Sequence, residues 1–255
     1  MSKNTLITGA SSGLGAGIAK ELAAKGNNLA LCARRTDRLE ALREELLAIN
    51  SNITVLVKAL DVTQFDDVFT VTQAFDAELK AATGRGVERF IANAGVGAEG
   101  ETVGKGKFAQ NKRIIDINFT AVLAQAEAAM EIFRAAGKGH LVIVSSMSAM
   151  RGQRGMLATY AATKAAVAHL AEGIRADCFR KPGIKVTTLY PGYIKTELTG
   201  DNDKLPFIIS ADKGCKLLAK EIEAEVDEAC VPAWPWKPVG FLMRNLPLKQ
   251  VAKLN

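Results

Sequence analysis

The 255-residue sequence predicts an α/β fold, a doubly wound parallel sheet forming a single domain over residues 1–255. Three observations carry that expectation. Short apolar or β-branched runs alternate with longer amphipathic stretches almost to the end of the chain. Several of these runs are continuously apolar, as in Leu141-Val142-Ile143-Val144, which suits strands covered by helices on both faces. The first run leads into a glycine-rich turn, and a helical pattern follows at once.

In order, Asn4–Thr8 reads as the first strand and 14–25 as a helix, then Asn28–Ala33 as the second strand and 37–49 as a helix. Further strands are expected at 53–60, 87–92, 140–145 and 184–190, with a short last one at Glu228–Val231. Helical patterns fall at 66–82, 110–136, 159–180 and 211–225. Right-handed strand–helix–strand crossovers follow from this alternation. In such sheets ligands bind beyond the carboxyl ends of the strands, and that is where chemistry is sought.

Composition narrows the classes. With 48% apolar and 24% charged residues the chain is a folded globular protein. Cys32, Cys178, Cys215 and Cys230 are scattered and read as reduced thiols of a cytoplasmic protein. The amino terminus shows neither the apolar stretch nor the cleavage site of a signal peptide, and no apolar run is long enough to span a bilayer. The net charge of +6 is spread, with no run of five like charges, and only three Tyr and two Trp are available for base stacking; nucleic-acid binding is not expected. His140 and His169 lack metal-ligand spacing, so no metal site is expected.

The first strand ends in Thr8-Gly9-Ala10-Ser11-Ser12-Gly13-Leu14-Gly15. Gly9 permits a tight turn, Gly13 lets backbone approach a pyrophosphate, and Gly15 allows the helix to pack close to the sheet. The helix amino terminus then faces the phosphates with free N–H groups. The second strand ends Ala33-Arg34-Arg35, where a site for NAD would carry a carboxylate for the ribose 2′-hydroxyl. A guanidinium pairs instead with a 2′-phosphate. The expected cofactor is therefore NADP(H), with Arg34 the main contact and Arg35 a helper.

These motifs continue with Asp61-Val62, Asn93-Ala94-Gly95, Asn118, Ser146, Tyr160-x-x-x-Lys164 and Pro191-Gly192. Together, over residues 8–197, the chain resembles the short-chain dehydrogenase/reductase family. That resemblance implies a Rossmann-like fold and hydride transfer between a nicotinamide and a carbonyl/alcohol pair, and it implies a role for each motif. Tyr160 would exchange the proton and Ser146 would hold the substrate oxygen, with Ser148 the competing serine. Asn118 would help organise a water relay to Lys164, and Lys164 would also bond the nicotinamide ribose. Asp61 and Val62 would meet adenine, and Asn93, Ala94 and Gly95 the adenosine ribose. After Pro191 and Gly192, Ile194 and Thr196 would meet the carboxamide and pyrophosphate side. Tyr160 and Lys164 stand four apart on a helix, so they share a face, and a neighbouring ammonium is expected to pull the phenol pKa down from its ordinary value near 10.

Residues 193–210 are expected to form a substrate lid, with Gly200-Asp201-Asn202-Asp203 suited to low local stability. Residues 231–255 form a C-terminal extension with two Trp among prolines. It reads as local packing, a subunit contact, a pocket cover or a membrane-surface element. A small-molecule carbonyl or alcohol is the expected partner, and family members are commonly homodimers or homotetramers. The rival reading is an NADP(H)-binding regulatory or sensor protein without turnover, which would be expected to have lost part of the Ser/Tyr/Lys set.

Overall fold

The computed structural model describes residues 2–200 and 204–251. Seven parallel strands form one sheet in the order β3-β2-β1-β4-β5-β6-β7: β1 (Asn4–Thr8), β2 (Asn28–Ala33), β3 (Val55–Ala59), β4 (Arg89–Ala92), β5 (Gly139–Val144), β6 (Ile184–Pro191) and β7 (Glu228–Val231). This is the doubly wound arrangement expected. The strand order turns back at β1 and β4, so the loops leaving these two neighbours diverge and open a crevice above their carboxyl ends.

Alternate strand residues serve opposite faces. Leu6, Leu141 and Ile143 join a core with Phe75, Phe133 and Val167, whereas Ile7, Val142 and Val144 join one with Ile18, Leu22, Leu46 and Leu218. The first core is roofed by α3 (Phe65–Thr83), α5 (Ala121–Ala136) and α6 (Leu157–Cys178), and the second by α1 (Gly13–Ala24), α2 (Thr36–Ile49) and α7 (Ala211–Glu223). Double coverage is why the strand runs carry so little polar alternation.

Three elements differ from expectation. The ladder of β3 is shorter than 53–60, because Ile53 and Leu60 are buried beside it without belonging to it. The helix expected over 110–136 is divided. It comprises α4 (Phe108–Ile115), a π-helical turn at Asp116–Thr120, and α5. The extension after β7, for which no helix was expected, holds α8 (Ala233–Asn245) and α9 (Leu248–Val251). Trp234 is extended within α8 (φ −102°, ψ 131°), so the regular helix begins around Pro235, where a proline fits the first turn. No helix among the described residues is long and apolar enough to cross a membrane.

Candidate active site

The crevice floor is built by one hydroxyl. Thr8, fully buried at the end of β1, accepts at Oγ1 from the backbone N–H groups of Asn93 (3.1 Å) and Ala94 (3.0 Å). The same hydroxyl donates to Gln125 Oε1 (2.7 Å), and Gln125, in the middle of α5, donates to the Ala121 carbonyl. Asn93 Nδ2 donates back to the carbonyls of Thr8 (3.0 Å) and Gly9 (3.3 Å). The turn this clamps needs its glycines. Gly9 has φ +63° and stands with Ala94 Cα only 2.8 Å from where a Cβ would be, and a Cβ on Gly15 would collide with Gly9 O and Ala10.

Above this floor lies a cavity of about 490 Å³. Of the residues singled out in the sequence, Gly9, Ser11, Ser12, Gly13, Leu14, Arg34, Arg35, Asp61, Val62, Asn93, Ala94, Gly95, Ser146, Tyr160, Lys164, Pro191, Gly192, Ile194 and Thr196 all line it. Gly15 and Asn118 stand behind the wall. The amino end of α1 points in. Its N-cap, Ser12, makes no side-chain capping bond, and the first turn carries no acidic residue, so the positive end of the helix is left for a ligand.

At the β2 end the two arginines differ. Arg35 donates to Ser12 Oγ (2.7 Å) and Ser11 Oγ (3.3 Å) and pairs with Glu197 (3.4 Å), which also pairs with Arg38 (2.6 Å). The Arg38 guanidinium, with Arg35 beside it, holds the Glu197 carboxyl below its ordinary range. Arg34 makes no hydrogen bond among the described residues. Burial pushes the Asp61 carboxyl up, but bonds from Thr63 N and Oγ1, with the nearby Arg34 charge, outweigh it and hold the carboxyl low. Glu197 was not expected from the sequence, since it lies in a segment whose pattern shows only polarity. Gln125 was missed as well, as a lone polar residue within an alanine-rich stripe.

At the other end, Ser146 leaves β5 with its hydroxyl near enough to the Tyr160 phenol to lower its pKa, while accepting from Ser148 N (3.2 Å). The Ser148 hydroxyl is buried without a partner among the described residues, so geometry favours Ser146 as the serine beside the phenol. Lys164 Nζ lies 5.9 Å from the Tyr160 ring centroid and donates to the Val144 carbonyl (3.0 Å). Ser145 donates to the Lys164 carbonyl (2.7 Å), fixing α6 against β5.

The expected depression of the phenol is not found. Burial raises the Tyr160 pKa, the Ser146 hydroxyl lowers it, and the Tyr193 phenol raises it further. Desolvation of the buried phenol is the largest influence on it, and helical spacing does not set that. Burial also brings Lys164 down to about 8.

Asn118 sits within the π-helical turn and is fully buried. Its Oδ1 accepts from Val96 N and its Nδ2 donates to Val96 O, both at 2.9 Å. Its side chain thus holds the loop after β4 in place, and Gly95 fits between it and Lys164. Residues 193–210 are stitched at both ends, by Lys195 N to Ile209 O (2.9 Å) and Ile209 N to Tyr193 O (3.1 Å); Asp201–Asp203 lie outside the described residues.

The residues fit a nicotinamide dinucleotide: an uncapped helix start for pyrophosphate, a guanidinium without a hydrogen bond among the described residues at the ribose end, and a hydroxyl pair with an amine at the other. Comparison with known proteins agrees on the class. The family model for short chain dehydrogenases matches residues 3–205. An uncharacterized oxidoreductase of Mycobacterium tuberculosis is 46% identical over 242 residues, covering 95% of this chain and 93% of that one. Among solved structures, a short-chain dehydrogenase from Sphingobium yanoikuyae in complex with NADPH superposes with a TM-score of 0.79, at 27% identity, over 96% of each chain. An alcohol dehydrogenase from the archaeon Thermococcus sibiricus, complexed with 5-hydroxy-NADP, gives a TM-score of 0.77 at 25% identity, over 91% of this chain and 96% of that one. The chain belongs to the short-chain dehydrogenase/reductase family and is an oxidoreductase of that family.

Proposed function

We propose that the chain is an NADP(H)-dependent reductase of ketones or aldehydes. The observation that carries this reading is the Ser146–Tyr160 hydroxyl pair beside Lys164, at the opposite end of one cavity from Arg34. When bound, the dinucleotide supplies the hydride. The amino end of α1, with Ser11, Ser12 and Gly13, would hold its pyrophosphate, and Arg34, helped by Arg35, its 2′-phosphate. The solved relatives in complex with NADPH and 5-hydroxy-NADP support the phosphorylated form.

Each side chain then has a task. Ser146 holds the substrate oxygen as negative charge develops on it. Tyr160, a phenol and so protonated at neutral pH, donates the proton at its phenol oxygen. Lys164 contributes a positive charge beside the cofactor ribose, and Asn118 keeps the loop over it in place. The intact Ser146, Tyr160 and Lys164 set is more than a sensor without turnover requires.

The test is a panel of ketones, aldehydes and acyl thioesters with NADPH, followed at the nicotinamide absorbance. Tyr160→Phe is expected to abolish turnover of whichever is reduced, while NADPH still binds by fluorescence titration. Full turnover by this variant would remove Tyr160 from the chemistry, and failure of the wild-type protein to bind NADPH would remove the reading.

A further inference from the structure

Apart from both faces of the core, a third cluster stands at the carboxyl end of the sheet. Met147, Met150, Tyr190 and Trp236 are buried in it, with Tyr193 and Met243 packed against them. Trp236, contributed by α8, is its centre. The indole lies over Gly192 so closely that no Cβ would fit there, and Gly192 is part of the cavity wall. It meets Tyr193 edge-on (5.6 Å between centroids, 69°) and Phe207 likewise (5.8 Å, 90°). Through Gly240, α8 also rests on Met147 and Met150, the turn directly after Ser146.

Through Trp236 and Gly240, α8 therefore joins three segments near the reacting hydroxyls: the serine turn, the end of β6 and the segment after it. Tyr193 is near enough to Tyr160 to raise its pKa. Two details suggest that this arrangement is completed by a ligand. Phe207 is 56% exposed although it is a large apolar ring beside a buried one. Trp236 Nε1 is buried with no acceptor among the described residues, a costly state unless something else supplies one.

We propose that Trp236 is a specificity-determining residue: with Phe207 and Tyr193 it walls the substrate side of the site and selects carbonyl compounds with a flat, apolar, ring-bearing body. The inference rests on the carbonyl chemistry proposed above. Aromatic and thioether surfaces with few charges bind such bodies by burial and ring-edge contact.

Two measurements test it. Trp236→Ala and Trp236→Phe are compared with wild type on a series from small aliphatic aldehydes to aryl ketones, with NADPH affinity measured alongside. Trp236→Ala is expected to lower kcat/KM for aryl ketones about tenfold or more relative to that for small aldehydes, mainly through KM. Trp236→Phe, which keeps a ring and guards against a folding defect, should fall in the same order by less. A uniform loss across the series, or none, overturns the proposal.

The second measurement needs no turnover. In Trp234→Phe, whose side chain is exposed in the native protein, Trp236 is the only tryptophan. An aryl ketone added to this protein in saturating NADP+ should quench its emission saturably; purely collisional quenching overturns the assignment. A wild-type protein that shows saturable quenching but reduces nothing would sink the carbonyl chemistry and leave the wall standing.

Discussion

A guanidinium without a hydrogen bond among the described residues and one already engaged are different instruments, and Arg34 and Arg35 are one of each. Arg35 is held across Ser11, Ser12 and Glu197. Arg34 is exposed and keeps its donors unspent, so the discrimination between a 2′-phosphate and a 2′-hydroxyl is expected to rest there. Arg34→Asp removes a charge-assisted contact and adds a like charge. NADPH affinity should fall by about ten- to a hundredfold while NADH affinity changes little, the scale of one hydrogen-bonded ion contact. Parallel fluorescence titrations with the two cofactors check this, and an unchanged ratio would move the discrimination elsewhere. The second residue-scale lesson concerns Lys164. Helical spacing correctly placed it beside Tyr160, but spacing says nothing about where a flexible four-carbon stem spends its charge. Its Nζ donates to the Val144 carbonyl.

The most informative single element is the interrupted helix. A π-helical turn adds a residue within a helical run and turns its side chains out of register, and here that brings the Asn118 amide onto both backbone groups of Val96. Asn118→Ala would leave the half-buried N–H and C=O of Val96 unpaired, with a cost of about 1 kcal/mol read from the denaturant midpoint. Asn118→Asp should recover only part of this, because a carboxylate has no N–H for the Val96 carbonyl. If Asn118→Ala left the midpoint unmoved, the amide would not be holding the loop.

Elements like this mark the limit of what was legible in advance. The strands were readable because double coverage makes their runs continuously apolar, and the glycine turn because few other residues could occupy it. Tyr160 and Lys164 were found because their four-residue spacing stands among the other motifs that carry the family resemblance. The π-helical turn has no period of its own, since Gln110 to Ala136 reads as one amphipathic stretch. Helix α8 was hidden because its apolar residues are interleaved with Pro235 and Pro238, and its burial is decided by Gly192, some forty residues earlier in the chain. Gln125 and Glu197 act through partners distant in sequence, and nothing local announces that.

At the scale of the whole molecule, the sheet has two unlike ends. The carboxyl end carries the cavity, and the amino end carries a buried polar cluster. Arg89, 1% exposed, donates through Nε to His140 Nδ1 (3.1 Å) and pairs with Glu223; the other ring nitrogen of His140 meets Thr187 Oγ1 (2.8 Å). Burial, with the Arg89 and Lys3 charges, pushes the His140 pKa well below 6.5. A histidine held neutral when folded takes up its proton only on unfolding. Its contribution is therefore complete above the unfolded pKa and is lost as pH falls below it, by up to about 1.4 kcal/mol per pH unit. Between pH 6.5 and 5 the melting temperature of the wild-type protein should drop more steeply than that of His140→Gln. Equal slopes would show that another group governs the acid limb.

The Thr8 hydroxyl has a consequence beyond the site it supports. Its partners include positions 91, 93, 94 and 125, so no contiguous stretch of chain contains a working floor. A half-folded intermediate offers the dinucleotide nothing to grip, and affinity is reserved for the finished molecule. By mass action, every increment of free cofactor then draws the population toward the native form, by about 2.7 kcal/mol at a hundredfold excess over the dissociation constant. Cells well supplied with the dinucleotide would thereby guard this chain against unfolding as well as put it to use.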